Sequence, residues 1–220
     1  MPKRTEAKRQ RLDVYERKRD FAKTPEPKAR VAKTRGPLRF VVQKHRATAL
    51  HYDFRLEAGG ALRSWAVPRG PSLDPKQKRL AMEVEDHPLE YASFEGVIPE
   101  GEYGGGTVMI WDEGVWMPMA EVDPVAALEK GELRFVLDGK KLKGSWTLVH
   151  TDGRRWLLIK RRDEHAGTDE ITVTQPRSAR TKRLLAEIAR DEGGDVVKAA
   201  TGDGPLRAAQ AVHPRREGGR

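Results

Sequence analysis

The sequence contains no cysteine, and none of its uninterrupted apolar runs exceeds four residues. The lack of cysteine excludes disulfides, zinc fingers, iron–sulfur clusters and thiolate catalysis, so any metal must be held by His, Asp or Glu. The lack of a long apolar run argues against a membrane span or a secretory signal. We therefore expect a cytoplasmic protein that has no membrane partner.

The net charge of +9 is concentrated at one end of the chain. Residues 1–36 hold 13 Lys or Arg and five Asp or Glu. Residues 37–160 hold 17 Lys or Arg and 18 Asp or Glu, and are therefore nearly neutral. A cationic arm gains affinity for polyanions because it releases condensed counterions. The distribution favours nucleic-acid binding over the alternative of a tail that only solvates the protein.

Short alternating segments rich in Val, Trp, Phe and Tyr follow the arm and are separated by turn sequences such as Asp138-Gly139. This pattern predicts an all-β protein, with a small closed or nearly closed β-barrel and one or two short helices. One helix is predicted after Asp123, which can cap it, and before Gly131, which can end it. The predicted strands are Leu50 to Glu57, Leu80 to Glu85, Thr107 to Trp111, Leu133 to Leu137, Ser145 to His150 and Arg155 to Lys160.

The last part of the chain is again basic, and Leu184, Leu185 and Ile188 recur there at helical spacing. We predict a basic amphipathic helix over residues 178–191 and disorder in the last thirty residues. The predicted organisation is a basic N-terminal arm at 1–36, a β-barrel domain at 37–175, and a basic helix with a disordered tail at 176–220.

Polar residues alternate with apolar ones in the first predicted strand. His51, Asp53, Arg55 and Glu57 share one face, and the residues between them form an ordinary core face. His45 lies just before this strand, where a tight turn can bring it to the same point. Two imidazoles and a carboxylate suit Mn²⁺, Fe²⁺ or Zn²⁺, although a strand face that merely meets water is the alternative.

A second predicted strand repeats the pattern, with Ala81, Glu83, Glu85 and His87 on one face. If the two polar faces oppose each other inside a barrel, Arg55 or Arg79 and His87 could bind an anion beside the metal. His87 could then protonate a leaving alkoxide, and Glu85 could orient an imidazole or a guanidinium.

Other candidates are weaker. The loop Gly101 to Gly106 does not open a helix or end in Lys-Ser/Thr, so we interpret it as a bend between strands rather than a phosphate-binding loop. The five tryptophans are interpreted mainly as core and rim packing, with base stacking as a minority alternative.

Five blocks of unusual sequence follow one another in the chain. They are Phe40 to His45, Leu50 to Glu57, Trp65 to Ser72, Glu85 to Tyr91 with Phe94 to Gly96, and Ile98 to Gly104. In this order they resemble the 3'-phosphoesterase module of bacterial DNA ligase D, over roughly residues 19–160. The resemblance implies a β-barrel enzyme that trims DNA 3' ends.

The resemblance also implies roles for individual residues. The metal ligands would be His45, His51 and Asp53, the same three residues reached above from strand geometry. The phosphate-binding and acid residues would be Arg55, Arg79 and His87, supported by Gln43, Glu85 and Tyr91.

Part of the arm also matches this family. Arg19, Asp20 and Glu26 match a segment that folds back over the site, so we expect residues 17–36 to fold onto it and residues 1–16 to be flexible. Arg69 stands where Lys is usual in this family, and it keeps the charge but not the geometry.

The implied activity is Mn²⁺-dependent hydrolysis, with other divalent ions such as Co²⁺ as substitutes. The enzyme would remove a 3'-terminal ribonucleoside and then the 3'-phosphate during DNA end joining. The implied partners are DNA 3' ends, a separate DNA ligase and the end-binding protein Ku, in the cytoplasm at the nucleoid. No Lys-x-Asp-Gly adenylation motif is present, so a stand-alone version is expected.

Two other functions stay open at this point. His51-Tyr52-Asp53 has the His-x-Asp form used by non-haem Fe(II), 2-oxoglutarate-dependent oxygenases, with His87 or His150 as the distal ligand. The other alternative is a non-catalytic β-barrel adaptor that binds nucleic acid.

Overall fold

The structure, a computed structural model, describes residues 12–30, 34 and 36–204. No helix in this part of the chain is both long and apolar enough to cross a membrane. The strands are β1 (Leu38–Arg46), β2 (Leu50–Ala58), β3 (Ala61–Val67), β4 (Lys78–His87), β5 (Gly96–Ile98), β6 (Gly106–Pro118), β7 (Glu132–Gly139), β8 (Lys143–Asp152) and β9 (Arg155–Lys160). The helices are α1 (residues 12–17), a 3₁₀ helix (Leu89–Ser93), α2 (Pro124–Glu129), α3 (Ile171–Thr174), α4 (Leu185–Asp191) and α5 (Val196–Ala200).

The sheet closes into an antiparallel barrel of eight strands. Its order is β1-β2-β3-β4-β9-β8-β7-β6, and β1 pairs with β6 to close the ring. The short β5 adds to one end of β6. The predicted all-β barrel is confirmed, and each of the six predicted strands lies within a strand of the structure. The strands β1, β3 and β5 were not predicted.

The barrel interior holds the main hydrophobic core. The strands of the ring turn alternate side chains inward, and those side chains are mostly apolar. Phe54, Trp65, Phe135 and Trp146 are fully buried there. All five tryptophans belong to this core, which confirms their interpretation as packing residues.

A second, smaller apolar cluster lies on the outer surface of the barrel. Tyr15 of α1 and Tyr91 of the 3₁₀ helix pack there against Val41, Leu62 and Ile110, which point away from the interior. The arm and the 3₁₀ helix thus cover the outer face of neighbouring strands.

The polar face of β2 belongs to this outer side. Phe54 and Leu56 fill the interior, so Asp53 and Arg55, which alternate with them, must point outward. The condition that two polar faces oppose each other inside the barrel is therefore not met. The arm, rather than a second barrel wall, covers these residues.

A β-bulge changes which residues of β4 share a face. Ser64 pairs with Val84 but Leu62 pairs with His87, so β4 has one extra residue at this point. His87 therefore comes to the outer face with Val84, while Ala81 lies in the core. The predicted common face for Ala81 and His87 is wrong because the sequence does not show the bulge.

The predicted helix α2 is confirmed. The Asp123 side chain accepts hydrogen bonds from the backbone N–H groups of Val125 and Ala126. Pro124 occupies the first turn, where its missing N–H costs nothing. Gly131 follows the helix in the left-handed conformation, with φ of +87°.

The C-terminal prediction is correct only in part. The helix predicted over residues 178–191 begins at Leu185, because Lys182 has a positive φ and the Ser178 hydroxyl accepts from two backbone N–H groups of a turn. Residues 192–204 are ordered and include α5, which revises the predicted disorder. Residues 205–220 lie outside the described part of the chain.

The N-terminal prediction is revised in the same way. Helix α1 covers residues that were assigned to the flexible leader, and its Tyr15 is completely buried. The tyrosine hydroxyl donates to the carbonyl oxygen of Pro27 at 2.6 Å, which joins both ends of the docked segment. Residues 1–11 of the predicted leader lie outside the described residues.

Candidate active site

The β1–β2 hairpin brings the three predicted metal ligands together. His45 lies before β2 as predicted, near the end of β1, and the tight turn between the two strands pairs it directly with His51 of β2. Its Nδ1 lies 3.6 Å from Oδ2 of Asp53, and Nε2 of His51 lies 3.7 Å from the same oxygen. All three ligand atoms lie within 4.8 Å of one another.

The second nitrogen of each imidazole faces a backbone carbonyl. His45 Nε2 lies 2.8 Å from the oxygen of Gly104, and His51 Nδ1 lies 3.0 Å from that of Ala49. A carbonyl only accepts, so each of these nitrogens carries the proton and leaves the other lone pair toward Asp53. Such outer contacts are typical of histidines that bind metals, and the three residues fit a divalent ion.

Electrostatics keep this cluster in the form that binds a metal. Burial alone would raise the pKa of Asp53, but the charge of Arg55 overcomes that effect and holds it far below its usual range. Burial lowers the pKa of His51, despite the opposing charge of Asp53. The carboxyl is thus ionised and the His51 ring neutral.

Arg55 connects the metal ligands to the rest of the site. Its Nε donates to the side-chain oxygen of Gln43 at 2.8 Å, and its Nη2 lies 3.1 Å from Asp53 Oδ2. Its Nη1 lies 2.9 Å from Nδ1 of His87. Gln43 is itself held by the backbone carbonyls of Tyr91 and Phe94. The guanidinium is therefore fixed in orientation.

His87 lies between two cations and is buried. Nη2 of Arg19 is 3.4 Å from its Nε2, opposite the contact with Arg55. The rings of Tyr15 and Tyr91 pack on it with centroids 5.0 and 4.6 Å away. Burial, followed by the charges of Arg55 and Arg19, lowers the pKa of His87 well below its usual value. The imidazole is neutral in the substrate-free protein.

The arm supplies the second guanidinium of the site. Arg19 Nε donates to Glu26 at 2.9 Å, and its Nη1 lies 3.6 Å from Glu85. Glu26 also accepts from the hydroxyls of Tyr91 and Thr24, each at 2.9 Å. These contacts hold the arm in place over the outer face of the barrel.

Together these groups line a cavity of about 270 Å³. Gln43 and Glu26 support it from behind. Eight of the predicted site residues line the cavity directly: Arg19, His45, His51, Asp53, Arg55, Glu85, His87 and Tyr91.

Three predicted residues do not reach this cavity. Arg79 is buried at the other end of β4, where its guanidinium lies 3.2 Å from the carboxylate of Glu170. Arg69 is exposed in the turn after β3, and Asp20 is exposed and accepts from the backbone N–H of Ala22. Their predicted roles have no support from the geometry of the cavity.

Three side chains near the cavity were not predicted. Tyr15 packs on His87, and Lys18 donates to Glu85 at 3.1 Å and to the hydroxyl of Tyr103 at 2.9 Å. The sequence offered one signal for Tyr15, since it lies one helical turn before Arg19, and the Arg19 guanidinium carbon lies 3.7 Å from its ring centroid. Tyr103 belongs to the loop that was interpreted only as a bend.

The ligand set differs from the one expected for the oxygenase alternative. Among the described residues, the one cluster able to hold a metal uses His45 as its second imidazole. His87 contacts two guanidinium groups instead, and His150 contacts the carbonyl oxygen of Gly153. Guanidinium groups beside a metal site are suited to phosphate.

Comparisons with known proteins agree with this geometry. A sequence model described as the DNA Ligase D 3'-phosphoesterase domain matches residues 43–150. The multifunctional non-homologous end joining protein LigD of Pseudomonas aeruginosa is 52% identical over 183 residues, which is 79% of this chain and 22% of the relative. The LigD DNA repair protein of Mycobacterium tuberculosis is 44% identical over 156 residues, 70% of this chain and 20% of the relative.

A third relative, LigD of Mycolicibacterium smegmatis, is 40% identical over 163 residues, 70% of this chain and 21% of the relative. The chain thus spans about a fifth of the length of these curated relatives. The matched residues include the three candidate metal ligands, Arg55 and His87. This chain therefore belongs to the DNA ligase D 3'-phosphoesterase domain family, which is a family of hydrolases.

Proposed function

We propose that this protein is a Mn²⁺-dependent phosphoesterase that processes DNA 3' ends in end joining. It removes a 3'-terminal ribonucleoside and then the 3'-phosphate that is left. This proposal rests on one observation, namely that the same cavity contains a His-His-Asp cluster, two guanidinium groups and a buried imidazole.

The metal proposal depends on the donor set. His45, His51 and Asp53 offer two nitrogens and one oxygen, which suit Mn²⁺ and also ions such as Co²⁺. When bound, a divalent ion acts as a Lewis acid on a phosphate oxygen. His45 and His51 stay oriented for it through their carbonyl contacts.

The phosphate proposal depends on Arg55 and Arg19. Both guanidinium groups are held by hydrogen bonds to other side chains, and both lie within 3.4 Å of His87. They can bind phosphate oxygens and stabilise the charge that develops during hydrolysis, without having to reorganise. Glu26, Gln43 and Tyr91 act by positioning these two side chains.

His87 would act on the leaving oxygen. Its neutral ring gains affinity for a proton when a phosphate anion offsets the charges of Arg55 and Arg19. The protonated ring then donates to the oxygen that departs as its bond to phosphorus breaks. The Glu85 side chain acts through Arg19, whose Nη1 lies 3.6 Å from its carboxylate.

The biological setting is proposed from the relatives. Their names describe multifunctional non-homologous end joining proteins, and this chain matches only one part of them. We propose the same repair process here, with DNA 3' ends as substrate, a DNA ligase and Ku as partners, and the nucleoid as the place of action. Arg69, Arg79 and Asp20 stay proposed DNA contacts outside the cavity.

The test uses a primer-template that ends in one 3'-ribonucleotide or in a 3'-phosphate. We expect the protein with Mn²⁺ to shorten the first primer to a 3'-phosphate and then to a 3'-hydroxyl, and EDTA to stop both steps. Asp53→Ala and His51→Ala should abolish both steps in folded protein, whereas the exposed control Asp152→Ala should keep them. A primer left unchanged by the wild-type protein would support the adaptor function instead.

A further inference from the structure

We propose that Tyr103 binds the terminal nucleoside of the substrate by stacking on its base, and so favours ends that carry a ribonucleoside over ends that carry only a phosphate. This inference rests on the proposed function. It assigns a role to Tyr103, for which the sequence analysis proposes none.

Tyr103 is presented on a rigid turn. The N–H of Glu102 donates to the carbonyl of Pro99 at 3.3 Å, and the N–H of Gly105 donates to that of Glu102 at 3.0 Å. Gly104 has a φ of +79°, and a Cβ on Gly105 would lie 2.8 Å from the Pro99 oxygen. The turn needs glycine at both positions. Tyr103, which lies between Glu102 and Gly104, is the large side chain that this turn presents.

The same turn is connected to the metal ligands. The carbonyl of Gly104, next to Tyr103, is the group that orients His45. The Tyr103 side chain lines the cavity and has a relative exposure of 48%. It is the only exposed Phe, Tyr or Trp in the described part of the chain. The ring therefore lies at the mouth of the cavity, with surface free for a ligand.

Two cations of the arm hold the ring in place. Lys18 Nζ lies 2.9 Å from the Tyr103 hydroxyl and 4.3 Å from the ring centroid, and it also forms an ion pair with Glu85. The Arg19 guanidinium carbon lies 5.6 Å from the same centroid. A base that stacks here would therefore lie within reach of the groups that hold the scissile phosphate.

The chemistry of the two steps makes this role testable. In the first step the bond between phosphorus and the terminal nucleoside breaks, so a nucleoside lies beyond the phosphate. In the second step only the phosphate remains beyond the primer. Stacking of a base on an aromatic ring contributes about 1–3 kcal/mol. Tyr103 should therefore matter in the first step and not in the second.

The experiment measures binding without catalysis. The full protein in EDTA is titrated into two 5'-fluorescein primers, one ending in a 3'-ribonucleotide and one in a 3'-phosphate, and anisotropy is recorded. For Tyr103→Ala we expect the Kd of the first primer to rise about tenfold, and that of the second to change less than about twofold. Tyr103→Phe keeps the ring and should bind both primers like the wild type. Met117→Ala, at an exposed position outside the cavity, is the matched control.

Kinetics with Mn²⁺ give the second readout. Tyr103→Ala should raise KM for the ribonucleotide primer about tenfold and leave kcat within about twofold, because stacking stabilises the ground state and the transition state alike. An equal loss on both primers, or no loss on either, would overturn the proposal. If wild-type protein binds the primers but hydrolyses neither, the proposed function fails, whereas the binding comparison still decides the role of Tyr103.

Discussion

At the scale of single residues, Arg55 shows how the site depends on geometry as well as charge. Each of its three guanidinium nitrogens meets a different partner, namely Gln43, Asp53 and His87. A lysine at this position would keep the charge, but one ammonium group cannot hold three partners in a plane.

We therefore expect Arg55→Lys to lower kcat/KM for the 3'-phosphate primer on the order of 100-fold, the effect of losing one fixed donor to a developing charge. Initial rates in Mn²⁺ measure this. Arg155→Lys, whose side chain is 63% exposed, should retain normal rates. Retention of most activity by Arg55→Lys would show that the charge alone suffices.

The Asp53 carboxylate contributes the one oxygen ligand of the candidate metal site. Mutation of a residue that contacts only a metal ligand typically weakens metal binding roughly 10–100-fold. We expect Asp53→Asn to weaken Mn²⁺ binding by more than this, as measured by isothermal titration calorimetry. The asparagine keeps the size of the side chain but loses its charge. Asp152→Asn, at an exposed position, is the control. Equal Mn²⁺ affinity in the wild type and Asp53→Asn would contradict the assigned ligand.

At the scale of elements, two devices assemble the cavity. The β-bulge in β4 brings His87 rather than Asp86 opposite Leu62, and so places the imidazole on the outer face. Helix α1 and the residues after it then cover that face and bring in Arg19. Neither device supplies a candidate metal ligand, but without them the three candidate ligands would face solvent, and neither His87 nor Arg19 would lie beside them.

Docking of the arm depends on Tyr15. Its complete burial and its hydrogen bond to Pro27 indicate that Tyr15→Ala would destabilise the docked arm by about 3 kcal/mol or more. The barrel core would not be destabilised. The Arg19 side chain is buried in the wild-type protein. We expect trypsin to cleave after Arg19 at least roughly tenfold faster in Tyr15→Ala. Val14→Ala, in the same helix but 37% exposed, should be cleaved like the wild type. Mass spectrometry of the early fragments measures the difference.

At the scale of the whole molecule, the site makes stability depend on pH. Burial and the two arginines lower the pKa of His87 well below 6.5, so the folded protein leaves this ring neutral where the unfolded chain binds a proton. The contribution of His87 to the free energy of unfolding is therefore fully present above about pH 6.5. It falls as the pH decreases below that value, by at most about 1.4 kcal/mol per pH unit.

Urea unfolding in EDTA between pH 7.5 and 5.5 tests this effect. We expect the stability difference between wild type and His87→Gln to change in favour of the variant as the pH falls, because glutamine does not titrate. Met117→Ala, which removes no titratable group and lies at an exposed position outside the cavity, should show the same pH dependence as the wild type. Parallel curves for wild type and His87→Gln would mean that the folded and unfolded states bind protons equally at His87, which would contradict the lowered pKa.

The alternation of polar and apolar residues in β2 was enough to predict much of this protein. It indicated a strand, separated a core face from a face bearing His51, Asp53 and Arg55, and led, when His45 was added, to the three residues that form the candidate metal cluster. The barrel class followed from the repeated short strands and turns. These features depend on the period of the backbone and on residues close together in the chain.

Tertiary structure alone decided which face is inside and what covers the other. Barrel closure through β1 and β6 puts Phe54 in the interior and the site outside, and no local pattern can express that pairing. The extra residue in β4, the pairing of Arg79 with Glu170 and the contact of Tyr15 with His87 likewise join segments that are far apart in the chain. Sequence determined the chemistry available to this protein, whereas long-range pairing and packing determined which of those groups meet.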